Sequence, residues 1–231
     1  MSIPVNDDRL ITVIPVRAGS KGVSGKNVRL IRGVPLYMHA VNQGLRVTGR
    51  VLISTDIEEI QQQNVPDGCE VCPRPSRLAK DNTPMASVIN HLIESMSLWG
   101  STIVLLQATT PLREDNDIRA AIRLYEQGRH KLVMSVVERD SGVLKYGLLD
   151  GSDFSALNDP SFCFANRQQL PPVYSPNGAV YVFSAEDFKK VGGFPENDIG
   201  AIEMPRERSV DIDNIHDFDV VERKMVLGSN Q

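Results

Sequence analysis

Short apolar runs alternate with helix-spaced segments from residue 10 almost to the end of this chain, and few architectures accept that order. LITVIP (10–15), VLIS (51–54), EVC (70–72), TIVLLQ (102–107), LVMSVV (132–137) and GAVYVF (178–183) have the length and β-branched content of strands. Between them, PLYMHAVNQGL (35–45) places Leu36, Ala40, Val41, Gly44 and Leu45 at helical spacing. TPMASVINHLIESM (83–96) predicts a helix with Thr83 as N-cap and Pro84 at the first helical position. DNDIRAAIRLYEQG (115–128) turns Ile118, Ile122 and Tyr125 inward and stops at Gly128, and SAEDFKKVGG (184–193) reads as a capped helix ended by glycine. A strand-like AIEMP (201–205) and a final helix with Phe218, Val221 and Met225 on one side close the pattern. TIVLLQ carries an unbroken apolar run from Ile103 to Leu106, as a strand buried on both faces must. The expectation is an α/β protein: a mostly parallel sheet with helices on both faces.

The alternation weakens over 138–176, a stretch rich in Asp, Ser, Asn and Pro. It is expected to be a long loop, or an excursion from a single domain spanning 1–231 that makes a small lobe or a dimer contact. Hydrophobic residues are 41% of the 231 and charged residues 23%, enough for one sizeable core without disulfide staples. A formal net charge of -4 gives a nucleic-acid partner no support, so an anionic ligand would be held by local basic groups. The opening residues lack the basic and apolar regions of a signal peptide, and the apolar runs are too short to span a membrane. Three cysteines, Cys69, Cys72 and Cys163, fit a reducing compartment, and a cytoplasmic protein is expected. Cys69 and Cys72 form a C-x-x-C without a second ligand pair, and read as two small strand residues. His39, His91, His130 and His216 have no partner at metal or triad spacing and read as structural.

Two features carry chemistry. The first strand runs into a loop holding Gly19, Gly22 and Gly25 together with Arg17, Lys21 and Lys26. Glycines let backbone N–H groups approach a ligand, the cations offset its charge, and a loop at the carboxyl end of such a strand sits where ligands bind. This suits a triphosphate. A Walker loop fails because Ser24 stands where its second glycine belongs, and the dinucleotide fingerprint fails at Lys21. The second feature is Asp211-Ile212-Asp213, two carboxylates on one face of an extended segment. They form a magnesium site when phosphate oxygens complete the shell; otherwise they face solvent, or Asp213 caps the last helix.

The loop IPVRAGSKGVSGKN (14–27) resembles the signature loop of the CMP-sialic acid synthetases, or acylneuraminate cytidylyltransferases, a family that includes legionaminate and pseudaminate cytidylyltransferases. The resemblance continues in family order through Ser54-Thr55-Asp56, RPSRLAKDNTP (74–84), LLQATTPLR (105–113), NRQQLPPVYSPNGAVY (166–181) and SVDID (209–213). It implies a Rossmann-like three-layer nucleotidyltransferase fold, a magnesium requirement, CTP as donor and a nine-carbon 2-keto sugar acid as acceptor. It also implies a homodimer in which the excursion before the NGAVY strand helps form the contact. Carried over by position, Arg17, Ser20, Lys21, Lys26 and Asn27 would hold the triphosphate and part of the nucleoside, with Arg17, Lys21 and Asp211 as the catalytic set. Arg74, Asn82 and Thr83 would lie near the cytidine, although Thr83 equally serves as a helix cap. Gln107, Arg167 and Gln168 would meet the sugar, and Asp211 and Asp213 would bind magnesium. The chain departs from the pattern at Val16, Ala18 and Ser24-Gly25, and the change at Gly25 bears on how rigidly Lys26 is presented. An eight-carbon acceptor, as in the related CMP-Kdo synthetases, and a non-catalytic CTP-binding module are the alternatives. The motifs do not distinguish N-acetylneuraminate, legionaminate, pseudaminate and Kdn.

Overall fold

The computed structural model describes residues 9–19 and 22–228. Ser20 and Lys21, two of the expected phosphate ligands, lie outside the described residues. Strand β1 (Leu10–Val16) leads through the glycine loop into a small hairpin, β2 (Leu30–Ile31) and β3 (Val34–Pro35), and then helix α1 (Leu36–Thr48). Next come β4 (Val51–Thr55), α2 (Glu58–Gln62), β5 (Cys69–Pro73), α3 (Met85–Ser95), β6 (Thr102–Leu106), α4 (Asp115–Glu126) and β7 (Leu132–Arg139). A second hairpin, β8 (Gly147–Asp150) and β9 (Asp153–Ala156), precedes the long β10 (Val173–Ser184). The chain continues through α5 (Ala185–Val191), β11 (Ile199–Glu203) and α6 (Ile215–Gly228).

Seven strands form one sheet in the order β11-β7-β10-β6-β1-β4-β5. Only β10 runs against its neighbours, so the sheet is mostly parallel as expected. Alternation along each strand divides the core. Leu10, Ile14 and Val16 of β1, Val104 and Leu106 of β6, and Val180 and Val182 of β10 face a layer that includes α1, α2 and α4. Their neighbours Ile11, Val13, Ile103, Leu105 and Phe183 face α3 and α5. Gly44 lets α1 approach closely: a Cβ there would stand 2.8 Å from the Cγ2 atoms of both Thr12 and Val51. A third cluster packs α6, through Phe218 and Val221, onto Val23, Ile31, Leu36 and Ile212, which joins the glycine loop to the acidic segment.

The elements differ from expectation in three places. Thr83 does not cap α3: Pro84 takes the N-cap position with ψ 140° and no side-chain cap, and Thr83 N–H closes a turn onto Lys80 O. A proline can occupy that position because the missing N–H has no intrahelical partner there anyway. Strand β10 begins at Val173, and Val173–Pro176 pair with Arg139–Val136 of β7, so both ends of the 138–176 stretch belong to the sheet. Helix α2 is short, and its only buried residue is Ile60, too little to register as a helical period. The cysteines are free, Cys69 and Cys72 lie in β5 as read, and burial pushes both thiols up. His39 bonds the carbonyl of Ile31 and His91 bonds Ser95, and no group of three or more His, Cys, Asp or Glu placed to hold a metal occurs among the described residues. No helix among them is long and apolar enough to cross a membrane.

Candidate active site

The chain passes from β1 outward to β4 and β5, then returns to lay β6 on the other side of β1. At such a reversal two adjacent carboxyl ends feed loops in opposite directions and leave a crevice between them. A cleft of about 250 Å³ opens there, lined by Arg17 and Lys26 after β1, Arg74 after β5, Gln107 and Thr109 after β6, and the Asp211–Asp213 pair. Asn27, Pro15, Gly19, Met85 and Ala108 complete its walls.

The glycine loop is held by its own polar groups. Asn27 Nδ2 donates to Arg17 O at 2.9 Å, and Ala18 N–H donates to Asp56 Oδ1 at 2.9 Å. Gly25 adopts φ 63° and opens the short 3₁₀ turn Lys26–Val28. Glycine suits that left-handed geometry because it has no Cβ to clash. Lys26 is held firmly: its Nζ donates to Ile212 O at 2.5 Å and lies 3.6 Å from Asp213 Oδ1. Arg17 Nη1 pairs with Asp81 Oδ1 at 2.5 Å, which ties the loop to the segment before α3.

Arg74 is built into the wall. Its Nη2 donates to Ser54 O at 2.7 Å and its Nε to Ser54 Oγ at 3.1 Å. Burial lowers its pKa to about 10, with Asp56 opposing the shift, so it stays cationic at neutral pH. Gln107 follows β6. Its carbonyl accepts from Arg113 Nη1 at 2.7 Å, and the same nitrogen reaches Thr110 O at 2.9 Å and Ala179 O at 3.3 Å. Arg113, fully buried with its pKa pushed down to about 9 by desolvation, thus joins the loop after β6 to β10. Gly178, at φ 75°, faces the Gln107 amide: a Cβ there would come within 3.1 Å of Oε1 and 3.4 Å of Cδ. Gly178→Ala is expected to cost about 1–2 kcal/mol of stability from the left-handed backbone and to displace the Gln107 amide. Urea denaturation should register the first effect, and a shifted magnetic resonance signal of the Gln107 side-chain amide the second.

Asp211 and Asp213 flank the fully buried Ile212, whose N–H donates to Thr109 O at 2.8 Å. The Asp211 carboxylate touches the open cleft, yet the protein around it raises its pKa; a hydrogen bond from Thr109 opposes that, and Asp213 adds to it. Two carboxylates facing one cavity suit a magnesium ion that takes its remaining oxygens from phosphates and water. Gly22 lies directly against this segment: a Cβ there would stand 1.8 Å from Asp213 O.

The structure thus brings together Arg17, Lys26, Asn27, Arg74, Gln107, Asp211 and Asp213. It leaves four expected residues off the cleft wall. Asn82 and Thr83 sit on the turn before α3, while their neighbours Asp81 and Met85 meet the loop and the cleft. Arg167 and Gln168 lie exposed on the excursion, where Arg167 pairs with Asp140. Thr109, Asp56 and Gly178 enter the sequence reading only as members of motif blocks, with no role assigned to them. Thr109 lies inside the LLQATTPLR block, Asp56 closes Ser54-Thr55-Asp56 and Gly178 is the second residue of NGAVY, so position in a block is the available signal.

The cytidylyltransferase family model matches residues 11–157, well over half of the chain. An N-acylneuraminate cytidylyltransferase of Streptococcus agalactiae is 28% identical over 222 residues, 90% of this chain and 51% of that protein. A CMP-N,N'-diacetyllegionaminic acid synthase of Legionella pneumophila is 27% identical over 95% of this chain and 97% of its own length. The chain therefore spans about half the length of the N-acylneuraminate cytidylyltransferases it matches, and nearly all of the legionaminate enzyme. A CMP:2-keto-3-deoxy-manno-octonic acid synthetase complexed with CTP superposes with a TM-score of 0.71 at 14% identity, covering 96% of this chain and 100% of that one. At that identity the likeness shows the Rossmann-like nucleotidyltransferase fold. The charged glycine loop, the switch-point cleft and the family match agree, and the chain belongs to the cytidylyltransferase family.

Proposed function

We propose that this chain transfers CMP from CTP to the anomeric hydroxyl of a nine-carbon, sialic acid-like 2-keto sugar acid and releases pyrophosphate. The observation that carries this reading is the convergence of Arg17, Lys26, Arg74, Gln107, Asp211 and Asp213 on one cleft. The loop cations would lie along the triphosphate and offset charge on the departing pyrophosphate. Arg74, already desolvated and fixed to Ser54, would meet the nucleoside. Gln107 would orient the sugar at the far side. The attacking hydroxyl gives up its proton to solvent and its oxygen bonds to the α-phosphorus as the bond to pyrophosphate breaks, a step governed by alignment and charge. Asp211 and Asp213 would hold magnesium, which neutralises phosphate charge and polarises oxygens bound to it.

The sequence relatives favour a nine-carbon acceptor over an eight-carbon one, because those named for their substrates act on N-acylneuraminate and diacetyllegionaminate. A homodimer is also proposed. The excursion exposes Leu148, Leu149, Phe154 and Phe164, the last 90% accessible, and a cluster of that kind on an arm is suited to burial against a second copy. Arg167 on the same arm would then act from the interface. We place the protein in the cytoplasm, where CTP is made available and free thiols persist.

The test is pyrophosphate release from purified protein with CTP, magnesium and a panel of 2-keto sugar acids that includes Kdo. Release dependent on both magnesium and one nine-carbon acid is the expected result. Release with Kdo alone would move the chain to the eight-carbon reaction, and CTP binding without release across the panel would favour the non-catalytic module.

A further inference from the structure

We propose that Asn177 is a positioning residue that fixes the acidic segment to the central sheet through Ser209; the inference rests on the reading that Asp211 and Asp213 serve the reaction. Strand β10 pairs in register with β7 as far as Pro176 opposite Val136, then shifts and resumes at Tyr181 opposite Met134. A bulge re-aims side chains that a regular strand would point along the sheet normal. Here it turns Asn177 into the protein, 6% exposed and off the cleft wall.

The bonds around Asn177 run in one direction. Val180 N–H donates to Ser135 Oγ at 2.9 Å, and Ser135 O–H donates to Asn177 Oδ1 at 2.6 Å. Asn177 Nδ2 donates to Ser209 Oγ at 2.9 Å, and Ser209 O–H donates to Pro205 O at 2.9 Å. An asparagine that served only its own bulge would need no more than the Ala179 N–H bond to Oδ1, at 3.2 Å. The amide nitrogen instead reaches across 32 residues to the position two before Asp211. Other anchors lie to either side: Arg208 pairs with Glu114 at 2.8 Å and Asp117 at 2.7 Å, and Ile212 is bonded through its N–H to Thr109 and through its carbonyl to Lys26. Among these anchors, the Ser209 bond is the one that links the segment to β7 and β10. The bulge therefore serves both sides of the cleft, with Gly178 against Gln107 and Asn177 holding the aspartates.

The experiment uses Ser209→Ala and Ser209→Thr in the full chain. Ser209 is only partly buried, so removing its hydroxyl leaves the core packed. Two readouts are taken: the magnesium concentration for half-maximal pyrophosphate release, and deuterium uptake of a peptide covering 208–214 without nucleotide or metal. Ser209→Ala is expected to raise the magnesium requirement about 10-fold, as loss of an outer support to a metal ligand does. Its turnover at saturating magnesium should stay within about 3-fold of the parent, since the aspartates themselves are unchanged. Uptake over 208–214 should quicken. Ser209→Thr, which keeps the hydroxyl, should match the parent on both readouts, which a purely steric role for Ser209 would not produce. Unchanged uptake in Ser209→Ala would overturn the tether whatever the activity. A parent-like magnesium response in Ser209→Ala, with Asp211→Ala inactive, would overturn the inference and leave the acidic-pair reading standing. A parent indifferent to magnesium would overturn that reading and this inference together.

Discussion

For the proposed transfer, Asp211→Ala is expected to lower turnover by at least about 100-fold at saturating CTP and sugar acid, with added magnesium restoring only part of the loss. The carboxylate stands where the glycine loop, Thr109 and the cleft meet, and Asp213 alone would offer the ion one anionic ligand in place of two. The same substitution should not lower the thermal midpoint. Burial and the like charge of Asp213 both disfavour the ionised form of Asp211, so the fold gains little from it and the alanine removes that burden. Steady-state assays over a magnesium series, paired with thermal unfolding, test both halves. Full restoration by magnesium would reduce Asp211 to a supporting role, and a sharp fall in the midpoint would mean the residue holds the fold.

Gly22→Ala should be nearly as damaging, for a steric reason. The added Cβ would stand 1.8 Å from Asp213 O and 3.0 Å from its carbonyl carbon. Both atoms are backbone, so neither can swing away as a side chain would. Either the glycine loop or the acidic segment must shift by about 1 Å, and a misplacement of that size near reacting groups costs about 100-fold. Gly193→Ala is the matched control, because its Cβ would meet only the Ala86 Cβ at an ordinary 3.7 Å. Comparing kcat/KM for the two variants gives the result. Parent-like activity in Gly22→Ala would show that the loop and the aspartates work without close contact.

Much of this was legible beforehand, and particular residues show why. TIVLLQ reads as a strand buried on both faces because Ile103 to Leu106 are apolar without a break, and all four are buried in β6. Ile118 and Ile122 lie on one helical stripe, and both are buried. The glycines and cations after β1 stand out because such a density has few local uses, and Arg17 and Lys26 do line the cleft. Asn82 and Thr83 show the limit. Their block meets the site, but the turn before α3 directs Asp81 and Met85 inward instead. Arg167 shows it again, since a cation on the excursion finds its partner in Asp140, a residue whose proximity depends on how that arm folds.

The order of hydrophobic and polar residues in this chain was sufficient for the strands, most of the helices, the two faces of the sheet and the loop that carries the cations. Those properties follow from spacings of two and 3.6 residues, which the chain carries locally. Folding decided the rest: that β6 returns beside β1, that Arg74 and Gln107 face one cleft, that Gly22 seats against Asp213, and that a bulge in β10 reaches Ser209. These are distances between segments far apart in the chain. They depend on strand order, register and close backbone contact, none of which a residue's type records at its own position.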